Sequence, residues 1–258
     1  MDLSARPVTR WHTVPEQVRA VVLVLHGGQV DGLRPPGRLA PARLRMLPFT
    51  AALRRAVAGQ GVAVGEVVYR CRGWNGPRAD AARDALAAVE QAAARWGAVP
   101  VALVGHSMGG RAALRATVHP SVAAVVALAP WWPQDEPYDG PAGCSVALVH
   151  GDADGVTDPV EARRLALRAR AAGARVCGYS VPRGGHGMLW RAGDWHTSAT
   201  RLALGLLGLV PLPEQAARAL ELTGADPAGL DLPLPRGQRR LTAREVSDAA
   251  SAPRRVPR

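Results

Sequence analysis

The sequence predicts an α/β fold: a mostly parallel central sheet, helices on both of its faces and no inserted cap domain. Three observations predict it. Short continuous apolar runs recur at residues 20–25, 62–69, 99–104, 122–128, 145–149 and 175–181, as expected of strands buried on both faces. Stretches of helical spacing separate most of them; in 80–96, Leu86, Val89, Ala93 and Trp96 share one face. Only a short segment separates the run ending at Leu128 from the one starting at Ser145, too little chain for a lid.

In order, residues 8–14 read as a first edge strand, and 20–25 as a central strand ending in His26-Gly27-Gly28. Residues 29–47, with Arg34, Arg38, Arg43, Arg45 and three prolines, read as a surface loop; Pro48 to Gly59 reads as a helix stopped by Gly59 and Gly61. Strand 62–69, a loop around Trp74 and helix 80–96 follow, with Gly97 as the stop. Strand 99–104 leads into a helix that runs to His119-Pro120. After strand 122–128 comes a loop with Trp131 and Trp132, then strand 145–149, helix 160–172, strand 175–181 and a closing helix 194–209. A short helix is expected within 211–224. From 225 to 258 Pro, Gly, Arg and Ala dominate, and this segment is expected to be a disordered basic tail outside the domain at 1–224.

Composition narrows the function classes. The 258 residues suffice for one large domain, and the net charge is +11 with every basic residue an Arg. A basic surface favours anionic partners, but nothing beyond the tail points to nucleic acid, and none is expected. Cys71, Cys144 and Cys177 are too few and too scattered for a disulfide framework or a zinc site, and an odd count suits a reducing cytoplasm. The first residues have no apolar signal-peptide core, and no apolar stretch approaches the ~20 residues of a membrane span. A cytoplasmic protein without a membrane partner is expected; the oligomeric state is open.

The chemistry begins at Gly105-His106-Ser107-Met108-Gly109. A strand turning sharply into a helix around a Ser is the nucleophile elbow, and the tight turn requires glycine on both flanks. The Ser then sits at a helix N-terminus, where free N–H groups favour negative charge. His26-Gly27-Gly28 supplies a second backbone loop able to aim N–H groups at a ligand. Asp154, in the loop after strand 145–149, is the candidate acid. Asp158 precedes Pro159 and reads as an N-cap, and Asp152 is the alternative acid. Of the two histidines beyond Asp154, His186 lies in a glycine-rich loop past a strand, whereas His196 lies in a helix among tryptophans and reads as packing. Trp131 and Trp132 stand at a strand's C-terminal end, where open sheets bind ligands, as pocket walls or as core cover.

The order of oxyanion loop, Ser, Asp and His, each after a strand, resembles the α/β-hydrolase superfamily over residues 8–210, nearest its small capless esterase, thioesterase and dienelactone-hydrolase-like members. The residues that carry the resemblance are His26-Gly27-Gly28, Gly105–Gly109, His150-Gly151-Asp152-Ala153-Asp154 and Gly185-His186-Gly187. A Ser stands where dienelactone hydrolases carry Cys. The resemblance implies hydrolysis of a small-molecule ester or thioester through an acyl-enzyme. Ser107 would be nucleophile, His186 base, Asp154 its orienting acid, and the backbone N–H groups of Met108 and of Gly28 or Gln29 the oxyanion donors. No cofactor and no metal are needed; His26, His106 and His150 are read as residues supporting the site. Acyl transfer or cofactor-free peroxidase chemistry on the same triad, and a catalytically silent ligand-binding protein of this fold, remain open at this stage.

Overall fold

A computed structural model describes residues 8–138, 140 and 144–251. The strands are β1 (Val8–Thr13), β2 (Ala20–Leu25), β3 (Val62–Val68), β4 (Val101–His106), β5 (Val122–Leu128), β6 (Ser145–Gly151), β7 (Arg175–Val181) and β8 (Leu232–Pro233). The helices are α1 (Pro41–Ala56), α2 (Asp80–Trp96), α3 (Met108–Arg115), α4 (Pro159–Ala171), α5 (Ala192–Leu206), α6 (Glu214–Ala219) and α7 (Ala243–Ser251).

The strands form one sheet in the order β1-β3-β2-β4-β5-β6-β7-β8, antiparallel at the β1 edge and parallel elsewhere. Alternation along each strand builds two cores. On β2, Ala20, Val22 and Val24 join a cluster with Phe49, Leu53, Trp195 and Leu202 from α1 and α5. Val21, Leu23 and Leu25 join one with Ala85, Val89, Ala112 and Leu165 from α2, α3 and α4. The apolar runs of the sequence are therefore continuous because both faces of the sheet are covered. No helix of the described residues is long and apolar enough to cross a membrane. The described part of the β5–β6 connection holds no helix or strand, so no cap is inserted there.

Three expectations give way. The helix expected from Pro48 begins at Pro41, so residues 41–47 are not loop. Proline is tolerated at a helix's first position, and Pro48 is carried inside by the contacts of Met46, Phe49 and Leu53 with the sheet. Arg43 is not solvated. Its Nε and Nη2 reach Glu66 of β3 at 2.6 and 3.0 Å, a buried two-pronged pair.

The third correction concerns the tail. Described residues 225–251 are not a separate disordered extension; they return to the domain. β8 pairs with β7, and Leu230, Leu234, Leu241 and Val246 are buried. The anchor is Arg170 of α4, itself 1% exposed. Its guanidinium donates to the carbonyls of Asp226, Ala228 (2.8 Å), Val176 (2.7 Å) and Ala219 (3.5 Å). Arg191 adds bonds to the carbonyls of Leu234 and Pro235 at 2.9 and 2.8 Å. Composition argued for disorder because the segment's own apolar content is low; buried Arg170 and half-buried Arg191 of the domain supply what it lacks.

Candidate active site

β4 ends at His106 and α3 begins at Met108, leaving Ser107 alone to make the turn. Its φ of 54° and ψ of −120° lie where L-residues rarely go, a strain of about 1–3 kcal/mol that persists only if the surroundings impose it. They do. A Cβ on Gly105 would stand 2.3 Å from the Gly109 carbonyl oxygen, and one on Gly109 2.4 Å from that of Leu25. The turn therefore closes to a backbone separation that only glycine allows. The Ser107 N–H donates to the Leu128 carbonyl at 3.1 Å, and the Ser107 carbonyl accepts from the N–H groups of Gly110, Arg111 and Trp131.

Asp154 stands in the loop between β6 and α4 with its side chain fully buried. Oδ2 faces His186 Nδ1 at 2.9 Å, His150 Nε2 at 3.1 Å and the Thr157 hydroxyl at 2.8 Å. Oδ1 accepts from the N–H groups of Val156 and Thr157 at 2.8 and 3.0 Å. Burial alone would raise the carboxyl's pKa, but the bonds from His150 and His186, then those from the two amides, hold it well below the usual carboxylate range. Asp154 is thus a fixed anion. Asp152 points elsewhere, accepting from the Arg183 N–H, and Asp158 caps α4 through the Val160 N–H.

His186 follows β7 and is turned toward the elbow. Its carbonyl lies 3.0 Å from His106 Nε2, and the two imidazoles lie 4.8 Å apart. Burial, then the charge His186 can carry, pushes the His106 pKa down to about 3, so His106 is neutral and donates through Nε2. Among the described residues no side-chain hydrogen bond joins Ser107 to His186; such bonds are often long in ligand-free sites and tighten when substrate binds. The two meet through His106, which precedes Ser107 in the chain.

The two oxyanion candidates at Met108 and Gly28 have N–H groups with no hydrogen-bond partner among the described residues. Gln29 does not qualify. Its N–H is already given to the Arg72 carbonyl at 2.9 Å, which fixes the loop that presents Gly28.

The tryptophan pair separates. Trp132 is 3% exposed and donates Nε1–H to the Gly110 carbonyl at 3.3 Å, so it braces the elbow helix and is no pocket wall. Trp131 lines a cleft of about 480 Å³ with Val30, Trp74, Arg111 and Pro133. Arg111, four residues past the nucleophile, stacks its guanidinium 4.0 Å from the Trp74 ring centre and 4.5 Å from that of Trp131, while Nε pairs with buried Glu136.

Sequence reasoning missed Trp74, Arg111 and Thr157. The spacing from Asp154 to Thr157, a carboxylate three residues before a hydroxyl in a turn, was a usable signal for Thr157. Nothing local marked Trp74 and Arg111, which meet only through the sheet order. His196 packs edge-on against Phe49 at 4.5 Å, away from Asp154.

The site can thus present a hydroxyl at a helix start, an imidazole fixed by a carboxylate, and two free N–H groups, which is the equipment of acyl transfer. The model of the serine aminopeptidase S33 family matches residues 59–146, a stretch that holds Ser107 but neither Asp154 nor His186. No curated protein matches the chain. Among solved structures, a protein of unknown function from Agrobacterium tumefaciens is similar at 15% identity and a TM-score of 0.62, covering 81% of this chain and 94% of its own. An α/β serine hydrolase without lid from Xanthomonas campestris is similar at 19% identity and 0.52, covering 76% and 86%. A carboxylesterase from Bacillus cereus is similar at 20% identity and 0.52, covering 76% and 95%. The chain has the α/β-hydrolase fold without an inserted cap.

Proposed function

We propose that the protein is a serine esterase that cleaves carboxylic esters or thioesters through an acyl-enzyme. The observation that carries this reading is the buried Asp154–His186 pair, with His186 held against His106, the residue before a strained Ser107 at a helix N-terminus. A Ser hydroxyl is a weak nucleophile at neutral pH. His186 Nε2 takes its proton as Oγ bonds to the carbonyl carbon, and Asp154 stabilises the imidazolium. The carbonyl electrons move onto oxygen, which the Met108 and Gly28 N–H groups meet; one such donor is worth about 3 kcal/mol in the transition state. Collapse expels the alcohol or thiol, which His186 protonates. Water then attacks the acyl-enzyme by the same steps and releases the acid and free Ser107.

The cleft beside Trp74 and Trp131 favours an apolar or aromatic substrate portion. So does Val30, which lines the same cleft and is 61% exposed.

A fluorophosphonate probe and a series of p-nitrophenyl esters test the proposal. Wild type should label and turn over, while Ser107→Ala and His186→Ala, folded by circular dichroism, should do neither. A folded wild type inert to both reagents would overturn the esterase reading and leave a silent binding protein of the same fold.

A further inference from the structure

Away from the catalytic elbow, α1, α5 and the C-terminal segment enclose a cavity of about 260 Å³. Arg55 of α1, His196 and Thr197 of α5, and Arg240 of the C-terminal segment are among its lining residues. Arg45, ten residues before Arg55 and so about 15 Å away along the axis of α1, lies close enough to act on the same histidine.

The charge around this cavity is not balanced. Arg45, Arg55 and Arg240 form no ion pair and no side-chain hydrogen bond among the described residues. Arg55 and Arg240 stand exposed at its rim, whereas other arginines are matched: Arg43 with Glu66, Arg70 with Asp84, Arg111 and Arg115 with Glu136, Arg191 with Asp194, and buried Arg170 with four carbonyls. The charges that act on His196 are all arginines, and no carboxylate offsets them. Burial, then Arg240, Arg45 and Arg55, push the His196 pKa down to about 4. Neither ring nitrogen of His196 nor the Thr197 hydroxyl has a hydrogen-bond partner among the described residues. The cavity therefore offers donors from three chain segments and no anion to receive them.

We propose that this cavity binds a small phosphate-bearing anion, inorganic phosphate or a phosphate monoester, between Arg55 and Arg240. Planar guanidinium forks match phosphate oxygens in pairs. The volume lies just below the usual 300–1,000 Å³ of drug-sized sites, which suits one phosphate with a small substituent and not a nucleotide. Because Arg240 belongs to the C-terminal segment and Arg55 to α1, the bound anion bridges them and tightens the docking of residues 239–251.

The test uses the full chain. Thermal unfolding and isothermal titration are run with sodium phosphate and with phenyl phosphate, against sodium chloride at matched ionic strength. Saturable binding and stabilisation beyond chloride are expected, with slower hydrogen exchange over 239–251. Arg55→Gln and Arg240→Gln should each weaken binding about tenfold or more, while folding in chloride and hydrolysing p-nitrophenyl esters like wild type. Tighter binding of phenyl phosphate assigns a monoester; equal binding assigns phosphate itself. No saturable effect, or one that survives in the double variant, means an adventitious ion only and overturns the proposal. Arg55→Lys, which keeps the charge and loses the fork, serves if a Gln variant fails to fold, and should still weaken binding.

Discussion

Replacing Asp154 by Asn removes a charge with almost no change of shape, and the surrounding bonds decide the effect. Oδ1 accepts from two backbone amides, Val156 at 2.8 Å and Thr157 at 3.0 Å. An asparagine must therefore keep its carbonyl oxygen on that side. Turning the amide round would oppose its NH2 group to two N–H donors, at about 1–3 kcal/mol for each bond lost. The NH2 group is thus held against His186 Nδ1, where Oδ2 stood at 2.9 Å. Nδ1 must now accept, so the proton moves to Nε2, the nitrogen that has to take the Ser107 proton. The wrong tautomer, together with the lost stabilisation of the imidazolium, should lower kcat by about 10⁴-fold, as the same exchange does in a serine protease. Hydrolysis of p-nitrophenyl acetate and the rate of fluorophosphonate labelling measure it, with circular dichroism as the control for folding. A folded Asp154→Asn protein within tenfold of wild type in both assays would refute the argument that Asp154 governs the base.

Three further outcomes are expected from other parts of the molecule. His106 is neutral in the fold and protonates more readily when unfolded, so its contribution is complete above pH 6.5 and is lost as pH falls toward its folded pKa of about 3. Urea unfolding should show about 2 kcal/mol less stability at pH 5 than at pH 7 from this residue, and His106→Gln should flatten that slope. Arg170→Leu leaves four carbonyls without their donor and should destabilise by about 3–5 kcal/mol, with hydrogen exchange rising first over residues 226–234; an unchanged urea midpoint would contradict the stitching role. Gly109→Ala drives a methyl into the Leu25 and His26 carbonyls, at 2.4 and 2.7 Å. It should cost about 10²–10³-fold in kcat by displacing the oxyanion loop, and wild-type turnover would show that the loop is not where the oxyanion forms.

How far the sequence could be read depended on whether the relevant physics was local. The strands were legible because a sheet covered on both faces demands unbroken apolar runs, as at 122–128 and 175–181. Ser107 was legible because its turn needs glycine at fixed distances in the chain. Asp154 was separable from Asp158 because a cap before proline has its own local grammar. What failed was non-local. Arg43 lies in a proline-rich stretch that looks like surface, and only the placement of β3 beside β2 brings Glu66 to it. The order of 225–251 depends on Arg170, more than fifty residues earlier. Gln29 was excluded by one bond to the Arg72 carbonyl, which belongs to another connection at the same end of the sheet.

Arg170 also sets a timetable. During synthesis α4 and β7 emerge before the carbonyls of Asp226 and Ala228, which lie 56 and 58 residues further along the chain. At about 5–20 residues per second that interval is roughly 3–11 s. Until then a guanidinium destined for the interior lacks two of its four acceptors, and a third, the Ala219 carbonyl, arrives only 49 residues after Arg170; the β7 edge of the sheet meanwhile stands open. A nascent chain at this stage is a natural client for chaperones that hold exposed sheet edges. A ribosome that pauses between residues 181 and 226 lengthens the exposure without altering a single residue of the product.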